Sequence, residues 1–307
     1  MIIEVIKLKS FIDKLMDKVI KTDSRICVGL DPHLDLIPEY ILDKAREKYS
    51  DHKKAVAMAV LDFNKKIIDE VVEHTAIVKP QIAFYEKIGL EGLRTLEKTV
   101  EYAKEKELLV LLDAKRNDIG STAGAYAEAH LENENIDAIT INPYFGMDGV
   151  KPFLQYKNKG AFALVRTSNK SAGDIQDIVS KDGKKIYEHM GQLVKEWGDN
   201  YQGDNGYSNL GAVIGATYPQ ELKRLRSFMP GVFFLIPGYG AQGGGAEDVA
   251  SAFDKKGLGA IINSARGIIF AYRNNDKYCE KEFAKAAGEA AKNMKTEVNK
   301  AIANFNR

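Results

Sequence analysis

The chain has 307 residues, 45% of them hydrophobic, which is ample for a large buried core in one or two domains. Its 44 Lys and Arg against 43 Asp and Glu leave a net charge of +1, so there is no electrostatic ground for a nucleic-acid or membrane-surface partner. The two cysteines, Cys27 inside an apolar run and the distant Cys279, suggest neither a disulfide framework nor a Cys-based zinc site, and no run approaches the ~18 apolar residues of a membrane span.

The opening residues Met1-Ile-Ile-Glu-Val-Ile-Lys-Leu-Lys9 are too short and too charged for a signal peptide, so a soluble, cytoplasmic protein is expected. Phe11, Leu15 and Val19 then share one face of a predicted N-terminal helix. Eight short apolar runs follow, at 26–31, 76–81, 108–115, 138–143, 161–168, 211–216, 233–238 and 260–266, and each ends in polar, Gly or Pro residues. Helical spacing fills most of the gaps. Val56, Val60, Phe63, Ile67 and Val71 form one stripe; Leu93, Leu96, Val100 and Ala103 form a second. Ile186, Met190, Leu193, Val194 and Trp197 make a third, and Phe283, Ala286, Ala290, Met294, Val298 and Ile302 suit a C-terminal helix. These stripes read as packing surfaces.

Strands alternating with helices predict a parallel sheet, and eight is the count of a closed (β/α)8 TIM barrel; an open doubly wound sheet is the alternative. Residues 32–54 and 169–209 are longer than a plain barrel needs and read as loop insertions. The expectation is a single barrel domain over 1–307 with N- and C-terminal helical extensions.

Chemistry in such a barrel gathers at the C-terminal ends of the strands. The third run, Leu109-Val-Leu-Leu-Asp113-Ala-Lys115-Arg-Asn-Asp118-Ile119, passes abruptly from apolar to acid, base and acid. Residues i and i+2 of a strand share a face, so Asp113 and Lys115 should point together, with Asp118 just past the strand end. Buried charges are costly unless paired, so a network is expected; a plain strand-end salt bridge would explain it equally well at this stage. The other ends carry Gly29-Leu-Asp31, Val78-Lys79-Pro80, Arg166-Thr167-Ser168, Pro237-Gly-Tyr239-Gly-Ala-Gln242-Gly-Gly-Gly245 and Asn263-Ser-Ala-Arg266. The last two suit a phosphate grip: glycines let backbone N–H groups approach an anion, Arg266 can pair with phosphate oxygens, and Gln242 and Tyr239 could add neutral donors. Gly238-Tyr-Gly-Ala-Gln-Gly243 also matches G-x-G-x-x-G, but the next run ends in Asn263-Ser264 rather than an acid, which argues against a dinucleotide site. The five histidines, His33, His52, His74, His130 and His189, have no metal-ligand spacing. Asp31 and Asp113 could in principle hold a divalent cation, but Lys79 and Lys115 would put two positive charges at the same mouth.

Taken together these residues resemble the orotidine 5′-phosphate decarboxylase family. Asp113-Ala-Lys115-Arg-Asn-Asp118-Ile119 matches its D-x-K-x-x-D-I signature, and Gly29-Leu-Asp31, Lys79, Pro237-Gly-Tyr-Gly-Ala-Gln242 and Arg266 follow its other motifs in order. The insertions and Val165-Arg-Thr-Ser-Asn169 are similar to the longer bacterial branch. Ala265 stands where many members have Gly, which bears on the local backbone and not on Arg266. The resemblance implies decarboxylation of orotidine 5′-phosphate to uridine 5′-phosphate without metal or cofactor, the last step of de novo pyrimidine synthesis. It implies a charged array of Lys79, Asp113, Lys115 and Asp118. Asp118, Ile119 and Thr122 would be donated across a homodimer. Asp31 and Lys79 would hold ribose. Ser168, or failing that Thr167, would read the pyrimidine, and Pro237, Tyr239, Gln242 and Arg266 would complete the substrate site, the last three at the phosphate. The Gly-rich loop would act as a lid. Alternatives are the Mg²⁺-dependent sugar-phosphate decarboxylases and synthases of the same broader group, which carry an acid at the Lys79 position, a Schiff-base aldolase, whose Lys the flanking carboxylates would keep charged, and a non-enzymatic sugar-phosphate-binding barrel, which would leave the array unexplained.

Overall fold

The computed structural model describes residues 8–240 and 244–306. Eight strands form a closed barrel in sequence order, and every neighbouring pair is parallel. They are β1 Ile26–Leu30, β2 Ile77–Pro80, β3 Leu109–Arg116, β4 Ala138–Ile141, β5 Gly160–Arg166, β6 Leu210–Ile214, β7 Phe234–Ile236 and β8 Ala260–Ser264. The (β/α)8 expectation holds and the open-sheet alternative does not. All eight expected runs become strands, but β7 is shorter than 233–238. Pro237 has no N–H to continue the ladder, and its carbonyl accepts from Ala216 N at 2.9 Å instead.

The barrel interior is apolar at its floor. Cys27, Ile77, Leu111, Phe162, Val213, Leu235 and Ile261 point inward, and the helix Phe11–Thr22 closes the floor with Phe11, Ile12, Leu15 and Val19. Phe11 meets Phe162 edge to face at 6.1 Å and 87°. That fit requires Gly160, because a Cβ there would lie 2.1 Å from the Phe11 ring. The other strand faces pack outward on the surrounding helices. The C-terminal helix Phe283–Phe305 closes this layer where Phe283 stacks on Phe63 at 4.9 Å and 13°.

Segment 32–54 holds a 3-10 turn at Leu34–Leu36, the helix Glu39–Lys48 and the start of the helix His52–Val71. Segment 169–209 holds the short helix Gly173–Gln176 and the helix Ile186–Gly198. The latter helix packs through most of the expected stripe, with Val194 buried and Met190 and Trp197 against the core, but its contact face is rotated off Leu193. Tyr187, Gly191 and Val194 are buried, whereas Leu193 is exposed. The reason is Gly191, whose bare backbone sits against Met229 and Leu225, so the closest approach of the helix falls there.

Candidate active site

Asp113 sits near the end of β3 and is buried, with three donors on its two oxygens. Oδ2 accepts from Lys79 Nζ at 2.9 Å. Oδ1 accepts from Lys115 Nζ at 2.6 Å and from Thr140 Oγ1 at 2.8 Å. Thr140, on β4, also accepts from the backbone N–H groups of Ala114 and Lys115, both at 3.0 Å. These bonds span a register irregularity between β3 and β4, where Lys115 adopts φ +48°. A non-glycine residue in the left-handed region costs about 1–3 kcal/mol and is kept only where its surroundings enforce it. Here the enforcement is Thr140, and the effect is to keep Asp113 and Lys115 on one side of an irregular strand end.

The two lysines differ in setting. Lys79 is 4% exposed at its side chain and Lys115 is 45% exposed. Burial works against the charge of Lys79, but the carboxylates of Asp113 and Asp31 outweigh it and raise its pKa above the ordinary value. Burial would raise the pKa of Asp113, and Lys79 and Lys115 instead pull it well below the usual carboxylate range. Both groups are therefore ionised at neutral pH. Asp31 follows β1, and its buried Oδ1 has no hydrogen-bond partner among the described residues. It is thus available to a ligand hydroxyl.

Lys79, Asp113, Lys115 and Thr140 border a cavity of about 370 Å³ whose far wall includes Thr167, Ser168 and Pro237. Gly215 makes room for that wall, since a Cβ there would meet Ser168 at 2.8 Å. On another side, a cavity of about 480 Å³ is bordered by Gly240, Arg266 and Gly267. Arg266 is exposed, and no carboxylate pairs with it among the described residues. Gly238 and Gly240, with φ +100° and +72°, turn the chain after β7. Gln242 lies outside the described residues, as does Gly243. The Tyr239 hydroxyl donates to Glu297 at 2.8 Å, so its ring is tied to the C-terminal helix. Ala265 adopts φ −111°, which needs no glycine, and its Cβ covers Gly29.

Asp118 stands apart from the others. Its Oδ1 accepts from the N–H of Ile119 at 2.8 Å, and no ion pair joins it to Lys79 or Lys115 among the described residues. Ile119 is 54% exposed, and Thr122 is exposed as well. No group of three or more His, Cys, Asp or Glu side chains that could hold a metal ion occurs among the described residues. Sequence reasoning missed Thr140, an unremarkable Thr within Ala138-Ile-Thr-Ile. Asn263 on β8, present in the strand-end run but given no role, has a buried Oδ1 without a partner among the described residues.

The family model described as "Orotidine 5'-phosphate decarboxylase / HUMPS family" matches residues 24–280. This chain belongs to that family. An orotidine 5′-phosphate decarboxylase of Clostridium tetani is 45% identical over 295 residues, covering 95% of this chain and 98% of that protein. One from Caldicellulosiruptor bescii is 40% identical over 307 residues, covering 95% and 99%. The solved structure of Leishmania donovani OMP decarboxylase superposes with a TM-score of 0.75 at 31% identity, covering 96% of this chain and 99% of that one. The family's barrel therefore accounts for almost the entire chain, both insertions included.

Proposed function

We propose that this chain decarboxylates orotidine 5′-phosphate to uridine 5′-phosphate, the last step of de novo pyrimidine synthesis, as a cytoplasmic homodimer that uses neither metal nor cofactor. We read 1–307 as one barrel domain with terminal helical extensions. The observation that carries the reading is Asp113 held between two ammonium groups, at 2.9 and 2.6 Å, in the barrel mouth of a member of this family.

In this reading Arg266 and Gln242 hold the phosphate. Tyr239 contributes through its backbone, because its hydroxyl is engaged by Glu297. Asp31 and Lys79 take the ribose hydroxyls, and Ser168 and Thr167 face the pyrimidine beside Pro237. The C6 carboxylate then lies near Asp113, a like-charge contact relieved as CO₂ leaves. The C6–carboxylate bond breaks and its electron pair stays on C6. The developing carbanion has no adjacent carbonyl to accept it, so fixed positive charge must stabilise it. Lys115 supplies that charge, donates a proton from Nζ to C6, and recovers a proton from solvent. Asp118, Ile119 and Thr122 act in the partner's site. This is supported by an apolar rim around the 117–118 turn: Tyr144 is 77% exposed, Phe145 is 50% exposed, and Phe145 and the Asp118 carbonyl both pack on Gly149.

The test is product formation from orotidine 5′-phosphate in buffer containing EDTA. Uridine 5′-phosphate and CO₂ should appear with the wild-type chain and not with Lys115→Ala, which should still fold. Activity that vanishes in EDTA and returns with Mg²⁺, or an absence of turnover in the folded wild type, would refute the reading.

A further inference from the structure

Segment 169–209 has no part in the chemistry above, yet from outside the cavity it sets one side chain against the turn that forms the cavity wall. We propose that Gln176 is a positioning residue that presets the base-facing turn Thr167–Asn169, and that this is what the segment contributes to substrate selection. The inference rests on the proposal that Thr167 and Ser168 face the pyrimidine.

The arrangement begins at the end of β5. The register between β5 and β6 slips between Leu164 and Arg166, which turns Arg166 away from the barrel mouth. Its guanidinium is buried on the outer face, 4.4 Å from the Tyr218 ring centre and 5.1 Å from that of Tyr187. Nε donates to Glu221 at 2.7 Å and Nη2 to Asp177 at 3.2 Å. A planar cation held at both ends and between two rings is a rigid base. From it Nη1 reaches Gln176 Oε1 at 3.4 Å. That oxygen also accepts from the backbone N–H of Thr167 at 3.0 Å, while Gln176 Nε2 donates to Thr167 Oγ1 at 2.7 Å. Thr167 Oγ1 in turn donates to Asn169 Oδ1 at 2.7 Å. The amide orientation is fixed by this pattern, because its oxygen faces two N–H donors and its nitrogen faces a hydroxyl whose own proton is committed elsewhere.

Gln176 therefore brackets Thr167 by backbone and side chain together, and it does so from outside the cavity. Thr167, Ser168 and Asn169 all border that cavity and belong to no helix or strand. A turn without a ladder of its own loses conformational freedom when it closes on a ligand, and a bracket made beforehand removes that cost. The expected signature is a loss confined to ligands that carry a base.

The experiment compares two competitive inhibitors, uridine 5′-phosphate and ribose 5-phosphate, on the wild type, Gln176→Ala and Ser168→Ala, with thermal unfolding recorded for each. Gln176→Ala should weaken uridine 5′-phosphate roughly tenfold, the order of the cost of ordering a freed turn on binding. Ribose 5-phosphate inhibition should stay unchanged, and the Tm should fall by no more than a few degrees. Equal weakening of both inhibitors, or a large fall in Tm, would make Gln176 a general structural residue and overturn the inference. If Ser168→Ala selectively weakens uridine 5′-phosphate and Gln176→Ala does not, the turn reads the base but Gln176 does not preset it. If neither variant alters the ratio of the two inhibition constants, the base-facing assignment itself fails and the role of Gln176 fails with it.

Discussion

Lys79→Met isolates the energetics of the buried array. Methionine keeps the aliphatic stem, so little packing is lost, but it leaves Asp113 without its inner partner. Removing one member of a buried ion pair costs about 3–5 kcal/mol, because the other charge stays behind unpaired. Asp113 retains Lys115 and Thr140 on its other oxygen, which places the expected loss at the low end, about 3 kcal/mol. The loss should also depend on pH in a definite direction. In the wild type, Lys79 has a raised pKa, so its contribution disappears only as pH rises through an alkaline value. Asp113 has a depressed pKa, so its contribution is complete above the ordinary carboxylate value and is lost only as pH falls through a strongly acidic one. Neither titrates between about pH 5 and pH 7.5. In the variant, burial with less compensation pushes Asp113 upward, and protonation relieves the unpaired oxygen as pH falls. The stability difference between wild type and variant should therefore shrink from about pH 7.5 to about pH 5. Urea unfolding at the two pH values measures it. A difference below about 1 kcal/mol at the higher pH, or one that persists undiminished at the lower, would refute the picture of a dry and mutually dependent pair. Turnover should fall at least ~10²-fold, the usual loss when one preorganised charge is removed.

Three further outcomes are expected. Arg266→Ala should raise KM for orotidine 5′-phosphate by roughly ten- to a hundredfold, the worth of a charge-assisted contact, and leave Tm unchanged because the side chain is exposed; unchanged kinetics would remove Arg266 from the site. His130 is held neutral by burial and by nearby Arg116, with its pKa pushed down to about 4. The unfolded chain therefore binds its proton first, and stability should fall between about pH 6.5 and pH 4 by on the order of 1–2 kcal/mol after allowance for its partial exposure, a slope that His130→Gln should flatten in urea titrations. Lys115→Ala and Asp118→Ala should each be nearly inactive alone. Equal mixing with subunit exchange should restore about a quarter of the wild-type sites, since half the dimers are hybrids with one intact site each; demonstrated exchange without recovered activity would dismiss the shared site.

Much of this was legible in the sequence, for identifiable reasons. Buried parallel strands are short apolar runs, and charged residues at their ends stand out because so little else there is charged. Asp113, Lys115, Lys79 and Asp31 were visible in this way, and they do converge. What escaped notice depends on backbone irregularities that no residue type announces. Thr140 organises Asp113 and Lys115 across a strand boundary, yet Thr in a strand is ordinary. Arg166 reads as a mouth residue in Arg166-Thr167-Ser168, and only the register slip on β5 sends it outward. The Tyr239 hydroxyl finds its partner on the C-terminal helix, a contact far beyond any local pattern.

The same geometry separates two lysines that the sequence presents as equals. Both touch Asp113, but a proton donor must be recharged after each turnover, and recharging needs a route to water. Lys79, at 4% exposure, has apolar strand residues beneath it and carboxylates about it, so its proton is held fast and its charge is a fixed part of the field. Lys115, at 45% exposure, borders the cavity on one side and solvent on the other. Its left-handed backbone, held by Thr140, puts its ammonium on the outer oxygen of Asp113 while Lys79 occupies the inner one. A field that is fixed on one side and exchangeable on the other suits the proposed step, which creates and then quenches a carbanion. Exchanging the roles would demand that the deeply buried ammonium, tied to Asp113, lose and regain a proton each turnover.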